Sequence, residues 1–174
     1  MIDFTVVLFG SFLIVYYSRQ SILKPCSHGF FRFFAWEITL IQFVFNRIGW
    51  FSNAFFWYQA ISWFLLTISI FLVIEGTCFL RKYGKSVTSF EATRQLVTKG
   101  IYQYIRHPMY ASLLFLAWGI FFKSPSWLDF VLTMTSSIFL YATAHADEKK
   151  CIAKFGDEYE IYMRTSKRFI PYLF

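Results

Sequence analysis

The run from Ala54 to Ile74 is apolar over about 21 residues, interrupted only by Gln59 and a few hydroxyl side chains. That is the length a helix needs to cross the roughly 30 Å hydrocarbon core of a bilayer. A helix that is apolar on every side has no place on the surface of a water-soluble domain. The rest of the chain points the same way. Of its 174 residues, 57% are apolar, 24% aromatic and 16% charged, whereas a soluble domain carries about 25% charged residues. The sequence reads as an integral membrane protein.

Four further apolar runs accompany this one. Phe4 to Tyr17 is short for a span and is expected to draw Asp3 and Tyr16 to Ser18 into the interfaces. It has neither a basic n-region nor a small-residue cleavage site, so it reads as a first helix and not a cleaved signal. The second run, Phe33 to Asn46, contains Glu37 and Gln42. Glu37 admits two readings: an interfacial acid near a helix start, favoured by the dipole, or an intramembrane carboxylate with a functional or packing role. Glu75 and Gly76 are expected to end the third run. Met109 to Phe122 and Trp127 to Ala144, joined by Lys123 to Ser126 with Pro125, read as a helical hairpin. Beyond it, Ile152, Phe155, Tyr159 and Tyr162 recur at helical spacing. They predict a separate amphipathic helix over 147–164, at the membrane surface or packed on the protein. The expected fold is all-α and polytopic, with about five transmembrane helices, a short C-terminal hairpin among them, plus that amphipathic helix. One domain is expected, with N-terminal spans over 1–76 and a long loop, hairpin and C-terminal helix over 77–174.

The net charge of +7 would suit nucleic acid, but the cations sit in loops between apolar runs. With five spans, the loops 18–32, 77–108 and 147–174 share one side and hold 15 of the 17 Lys and Arg residues; Arg47 and Lys123 fall on the other. By the positive-inside rule the long loop and the C-terminus are cytoplasmic and the N-terminus is outside. Membrane lipids are the expected partners, and nucleic acid is not.

The long loop ends in Leu96 to Tyr110, LVTKGIYQYIRHPMY, which packs Lys99, Arg106 and His107 among aromatic residues at the edge of an apolar run. Arg106 and His107 can donate to a carboxylate or phosphate. Pro108 biases His107 towards extended backbone and a helix to start there, a role that needs no function behind it. Gly100 marks a turn or a close backbone approach. The hairpin returns Asp147 and Glu148 to the same membrane face. They suit an amino group or ribose hydroxyls, or serve as an acid pair at a helix N-terminus. GxGxxG, P-loop and HExxH patterns are missing, and Cys26, Cys78 and Cys151 show no CxxC spacing. Neither a Rossmann nucleotide site, nor a metal site, nor a disulfide framework is expected.

From about Thr93 to its end the chain resembles the isoprenylcysteine carboxyl methyltransferase and phospholipid methyltransferase family of integral membrane enzymes. The resemblance rests on Leu96-Val97-Thr98-Lys99-Gly100-Ile101-Tyr102, on Arg106-His107-Pro108-x-Tyr110, and on Asp147-Glu148. It continues in Phe155-Gly156-Asp157-Glu158-Tyr159 with Tyr162, and in Arg168-Phe169-Ile170-Pro171. Arg32 to Glu37 also looks like the shorter prokaryotic members. Two departures stand out. Arg94 occupies the place of a histidine of the eukaryotic carboxyl methyltransferases, and Ala144 and His145 occupy that of a substrate-side arginine.

The resemblance implies a methyltransferase that uses S-adenosylmethionine and takes a lipophilic small-molecule or lipidated substrate from the bilayer. It places cofactor contacts at Gln95, Leu96, Val97, Gly100, Tyr102, His107, Pro108, Tyr110, Asp147 and Glu148, with Arg106, His107 and Glu148 as catalytic residues and no metal. In that setting Arg106 or His107 would pair the cofactor's carboxylate and Glu148 its amine or ribose. Tyr102, Tyr104 and Tyr110 would wall the adenine or face the sulfonium, which aromatic faces attract. Alignment of nucleophile and methyl group is then the main catalytic requirement. The implied acceptor is a carboxylate of the isoprenylcysteine type, with a phospholipid amine, deprotonated by His107, His145 or Glu148, as the alternative; a lipophilic thiol or another acid stays open. A membrane reductase of related architecture and a lipid-binding protein without activity are the other readings. Met109 after Pro108, where such reductases carry Asn, favours methyl transfer.

Overall fold

Capping, glycine placement and small residues decide where the helices of this chain begin, end and touch. The computed structural model describes residues 2–23, 27–50, 56–84 and 95–173. It is built from helices α1 (Ile2–Ile22), α2 (His28–Asn46), α3 (Trp57–Tyr83), α4 (Pro108–Phe121), α5 (Trp127–Phe155) and α6 (Asp157–Thr165). Short 3-10 turns occupy Arg47–Trp50 and Gly100–Gln103. Among the described residues there is no β-strand, only a parallel bridge between Ile105 and Lys167. The expected all-α class holds.

Several boundaries differ from the expectations, each for a local reason. Helix α2 starts at His28 because the Ser27 Oγ accepts the Phe30 amide at 3.2 Å, the usual N-cap arrangement. Glu37 therefore lies in the helix interior, and the dipole reading of it fails. Helix α3 continues through Glu75 and Gly76 to Tyr83. A glycine inside a helix costs only about 1 kcal/mol relative to alanine, and a Cβ at Gly76 would lie 3.1 Å from the Pro108 ring. Helix α5 runs unbroken to Phe155, so the separate helix expected from Asp147 does not exist. Nothing between Ala144 and Phe155 interrupts helical backbone; the break is Gly156, at φ 56° and ψ −133°. Pro25, Cys26 and the stretch with Ser86, Thr88, Ser89 and Arg94 lie outside the described residues.

The described chain forms two units. The first comprises Met1–Thr67 and Leu114–Asp147, the second Ile68–Leu113 and Glu148–Phe174. In the first, buried polar side chains link the helices like rungs. Thr39 Oγ1 meets Ser136 Oγ at 3.2 Å, Gln42 Nε2 donates to Thr133 Oγ1 at 2.7 Å, and Asn46 Nδ2 donates to Asp129 Oδ1 at 2.6 Å. The numbers rise along α2 as they fall along α5, so the two helices run antiparallel. Gln59 Nε2 donates to the Lys123 carbonyl at 2.9 Å and Ser62 Oγ to the Gly119 carbonyl at 2.6 Å, tying α3 to α4 in the same sense. Helix α1 meets α2 through small residues: Ser11 donates to Glu37 at 2.7 Å, and a Cβ at Gly29 would lie 2.4 Å from Ser21. Helices in lipid associate through small residues and interhelical hydrogen bonds because lipid is as apolar as leucine. Lys123, 1% exposed, sits in the α4–α5 turn with its Nζ 3.5 Å from the Trp63 ring centre and 3.1 Å from Gln59 Oε1.

Large apolar side chains face outwards instead, including Phe9 and Phe12 on α1, Phe64 and Phe71 on α3, and Trp127 and Ile138 on α5. Among the described residues α3 and α5 are long and apolar enough to cross a membrane, while Phe4–Arg19 and Pro108–Phe121 are shorter apolar helices.

Candidate active site

In the second unit two arginines and a histidine gather on one buried carboxylate. Glu148 lies in the interior of α5 and is 3% exposed. A carboxylate there has no helix N-terminus to stabilise it, and burying it requires cationic partners and hydrogen bonds. Arg106 supplies Nε and Nη2, each 3.0 Å from Oε1. Arg168 grips both oxygens, Nε to Oε1 at 3.1 Å and Nη2 to Oε2 at 2.6 Å. His107 Nε2 lies 3.5 Å from Oε1, at the outer edge of hydrogen-bond distance.

The backbone around this cluster explains how residues so far apart in sequence meet. The stretch ahead of α4 pairs with the tail after α6. Lys167 N donates to the Tyr104 carbonyl at 2.9 Å, Arg106 N to the Lys167 carbonyl at 2.7 Å, and His107 N to the Arg168 carbonyl at 3.2 Å. The remaining Arg106 nitrogen, Nη1, donates to the carbonyls of Met163 and Ser166. Tyr162 Oη donates to the Tyr102 carbonyl at 2.6 Å, and burial pushes its phenol pKa upwards, so it stays a neutral donor. Tyr102 Oη in turn reaches the Gly76 carbonyl on α3 at 3.3 Å. Gly100, at φ 63°, lies flat on Phe79; a Cβ would stand 2.3 Å from that ring, so both conformation and space demand glycine. Pro108 is buried at the first position of α4, where its missing N–H costs nothing. One turn on, Tyr110 stacks on His107 with ring centres 5.3 Å apart and planes 19° apart, and Phe169 flanks the same imidazole at 6.5 Å.

Of the residues singled out from sequence, Arg106, His107 and Glu148 come together, with Tyr110 against the imidazole. Pro108, Gly100 and Tyr102 shape the loop that carries them. Val97 is buried, Leu96 half-buried and Gln95 exposed in the same unit. Asp147 is half-buried and belongs to the first unit. The Arg106 guanidinium is turned onto Glu148 and two carbonyls. Sequence reasoning counted Arg168 and Tyr162 among the residues that carry the family resemblance, but gave neither a place in the site. Their partners lie 20 and 60 residues away, a separation with no local periodic signal.

The phospholipid methyltransferase family model matches residues 57–157, more than half of the chain. The chain belongs to the phospholipid methyltransferase family. The matched region of this phospholipid methyltransferase family member spans α3, α4 and α5, and with them Arg106, His107 and Glu148. A methanethiol S-methyltransferase of Crocosphaera subtropica is 28% identical over 146 residues, 81% of this chain and 55% of that protein. The chain thus spans about half the length of the curated relative it matches. No solved structure matches it.

Proposed function

We propose that this chain is an integral membrane methyltransferase that moves a methyl group from S-adenosylmethionine to a small lipophilic acceptor. The observation that carries the reading is the Glu148 carboxylate, buried on α5 between Arg106, Arg168 and His107 within the family-matched region. Each carboxylate oxygen has two lone pairs. Among the described residues Oε2 has one donor at hydrogen-bond distance, Arg168 Nη2, so it can take a second, an ammonium or a hydroxyl of the cofactor. The donor set therefore fits the cofactor. Glu148 would hold its amine or ribose, Tyr110 and His107 would offer an aromatic wall, and the loop of Val97, Gly100 and Tyr102 would line the site. When bound, the cofactor supplies an electrophilic methyl group on a sulfonium. The chain's own task is to align the acceptor with that group, the step in which orientation lowers the barrier.

For the acceptor, a thiol is the favoured class. The methanethiol enzyme is the named relative, and Ala144, buried, and His145, exposed, offer no arginine to pair a substrate carboxylate. A thiol acceptor loses its proton and becomes a methyl thioether. The five-span topology with a cytoplasmic loop and C-terminus is part of the proposal. It draws support from the gathering of 15 of the 17 Lys and Arg residues in the segments 18–32, 77–108 and 147–174, and from the outward apolar faces of α1, α3 and α5.

Calorimetric titration of the detergent-purified protein with S-adenosylmethionine tests the cofactor, with His107→Ala and Glu148→Ala alongside. Saturable binding weakened in both variants is expected. A folded wild type that does not bind, or binding unchanged in both variants, sinks the site. Turnover is then compared on methanethiol, a prenylcysteine and phosphatidylethanolamine; transfer to the last two alone would exclude the thiol.

A further inference from the structure

Glu148 needs more than charge neutralisation to act as a ligand. The terminal torsion of a glutamate side chain is broad and roughly two-fold, so burial alone does not decide where its lone pairs point. The two arginines do different things about this. Arg106 places both contacting nitrogens on Oε1, an arrangement that attracts the carboxylate but tolerates its rotation. Arg168 spans Oε1 and Oε2 with Nε and Nη2, the fork-to-fork geometry that fixes the carboxylate plane. Its own position is set by the backbone pairing of Lys167 and Arg168 with Tyr104, Arg106 and His107.

We infer that Arg168 is a positioning residue for cofactor binding: through its two-point grip it aims the second lone pair of Glu148 Oε2 at the cofactor's donor group. The inference rests on the reading of Glu148 as a cofactor ligand. It assigns a functional part to the C-terminal segment Ser166 to Phe169, which the bridge at Ile105 and Lys167 brings to the site.

The test is S-adenosylmethionine titration of detergent-purified wild type, R168A, R168K, E148Q and R168A/E148Q, with helicity and melting followed in each. R168A is expected to weaken binding tenfold or more, and millimolar methylguanidinium to restore it. R168K keeps the charge and packing but not the fork, and is expected to bind with an intermediate loss, which serves as the readout if R168A does not fold. Added to E148Q, R168A is expected to change affinity less than twofold, because the two residues act as one unit. Wild-type affinity in R168A and R168K, or a loss that multiplies in full with that of E148Q, overturns the inference while leaving the cofactor reading in place. A wild type that does not bind the cofactor overturns both.

Discussion

Asn46 Nδ2 lies 2.6 Å from Asp129 Oδ1, and with these two side chains 3% and 7% exposed the contact closes the polar seam between α2 and α5. Ser126 caps the start of α5 on the same carboxylate, its Oγ accepting the Asp129 amide at 3.1 Å. A double-mutant cycle with Asn46→Ala and Asp129→Ala should give a coupling of about 0.5–2 kcal/mol, the range for hydrogen bonds between membrane helices. Strict additivity in detergent unfolding would show that the contact contributes nothing.

Removing the carboxylate at the centre of the second unit should be far more damaging than removing a rung. Glu148→Ala leaves the half-buried Arg106 and Arg168 side by side with no counter-charge. The expected loss is about 3–5 kcal/mol, as for breaking a buried ion pair from one side. Glu148→Gln should fall between it and wild type, since the amide still accepts hydrogen bonds. Unfolding by denaturant at fixed detergent concentration measures both; a loss below about 1 kcal/mol for Glu148→Ala would show the cluster to be solvated.

Gly156 separates α5 from α6 in a backbone region open almost only to glycine. Nothing lies within 4 Å of where its Cβ would be, so Gly156→Ala isolates the conformational cost, about 1–3 kcal/mol. Gly100→Ala adds a clash with Phe79 to a similar cost. Pairing it with Phe79→Ala should recover the steric part only. Melting temperatures of the three variants check this, and a Gly156→Ala protein as stable as wild type would contradict it.

Burial lowers the pKa of Lys123 below the ordinary lysine value. The unfolded chain then binds this proton more tightly than the folded one, so stability should rise with pH across the alkaline window between the lowered value and the ordinary one. Lys123→Met keeps the stem against Trp63 and removes the titration. The difference in stability between wild type and Lys123→Met should therefore shift in favour of wild type as pH climbs through that window. A constant difference would mean that the amine is as well solvated in the fold as out of it.

Apolar run length made the helical class and most helix cores readable from sequence, because the bilayer-scale patterning of α3 and α5 needs no tertiary information. Helix ends were less accessible. Ser27 as a cap, Gly76 as a contact surface for Pro108, and Gly156 in place of residues 145–146 as the break all depend on what packs alongside. Arg106, His107 and Glu148 could be singled out because each was an unexpected polar group beside an apolar run. Arg168 stood in the sequence as part of a motif, with no partner to give it a role. Its role comes from the pairing of the tail with Tyr104 to His107, a contact across some sixty residues that no local pattern announces.

The continuity of α5 through Asp147 and Glu148 has a directional consequence. Successive residues on a helix do not face each other; they are rotated by about 100°. The two acids, adjacent in the chain, therefore project along different bearings, and it is the Glu148 carboxylate that Arg106 and Arg168 hold. What reads in the sequence as a two-acid motif is, in three dimensions, one buried and one half-buried carboxylate set at different angles around the same helix.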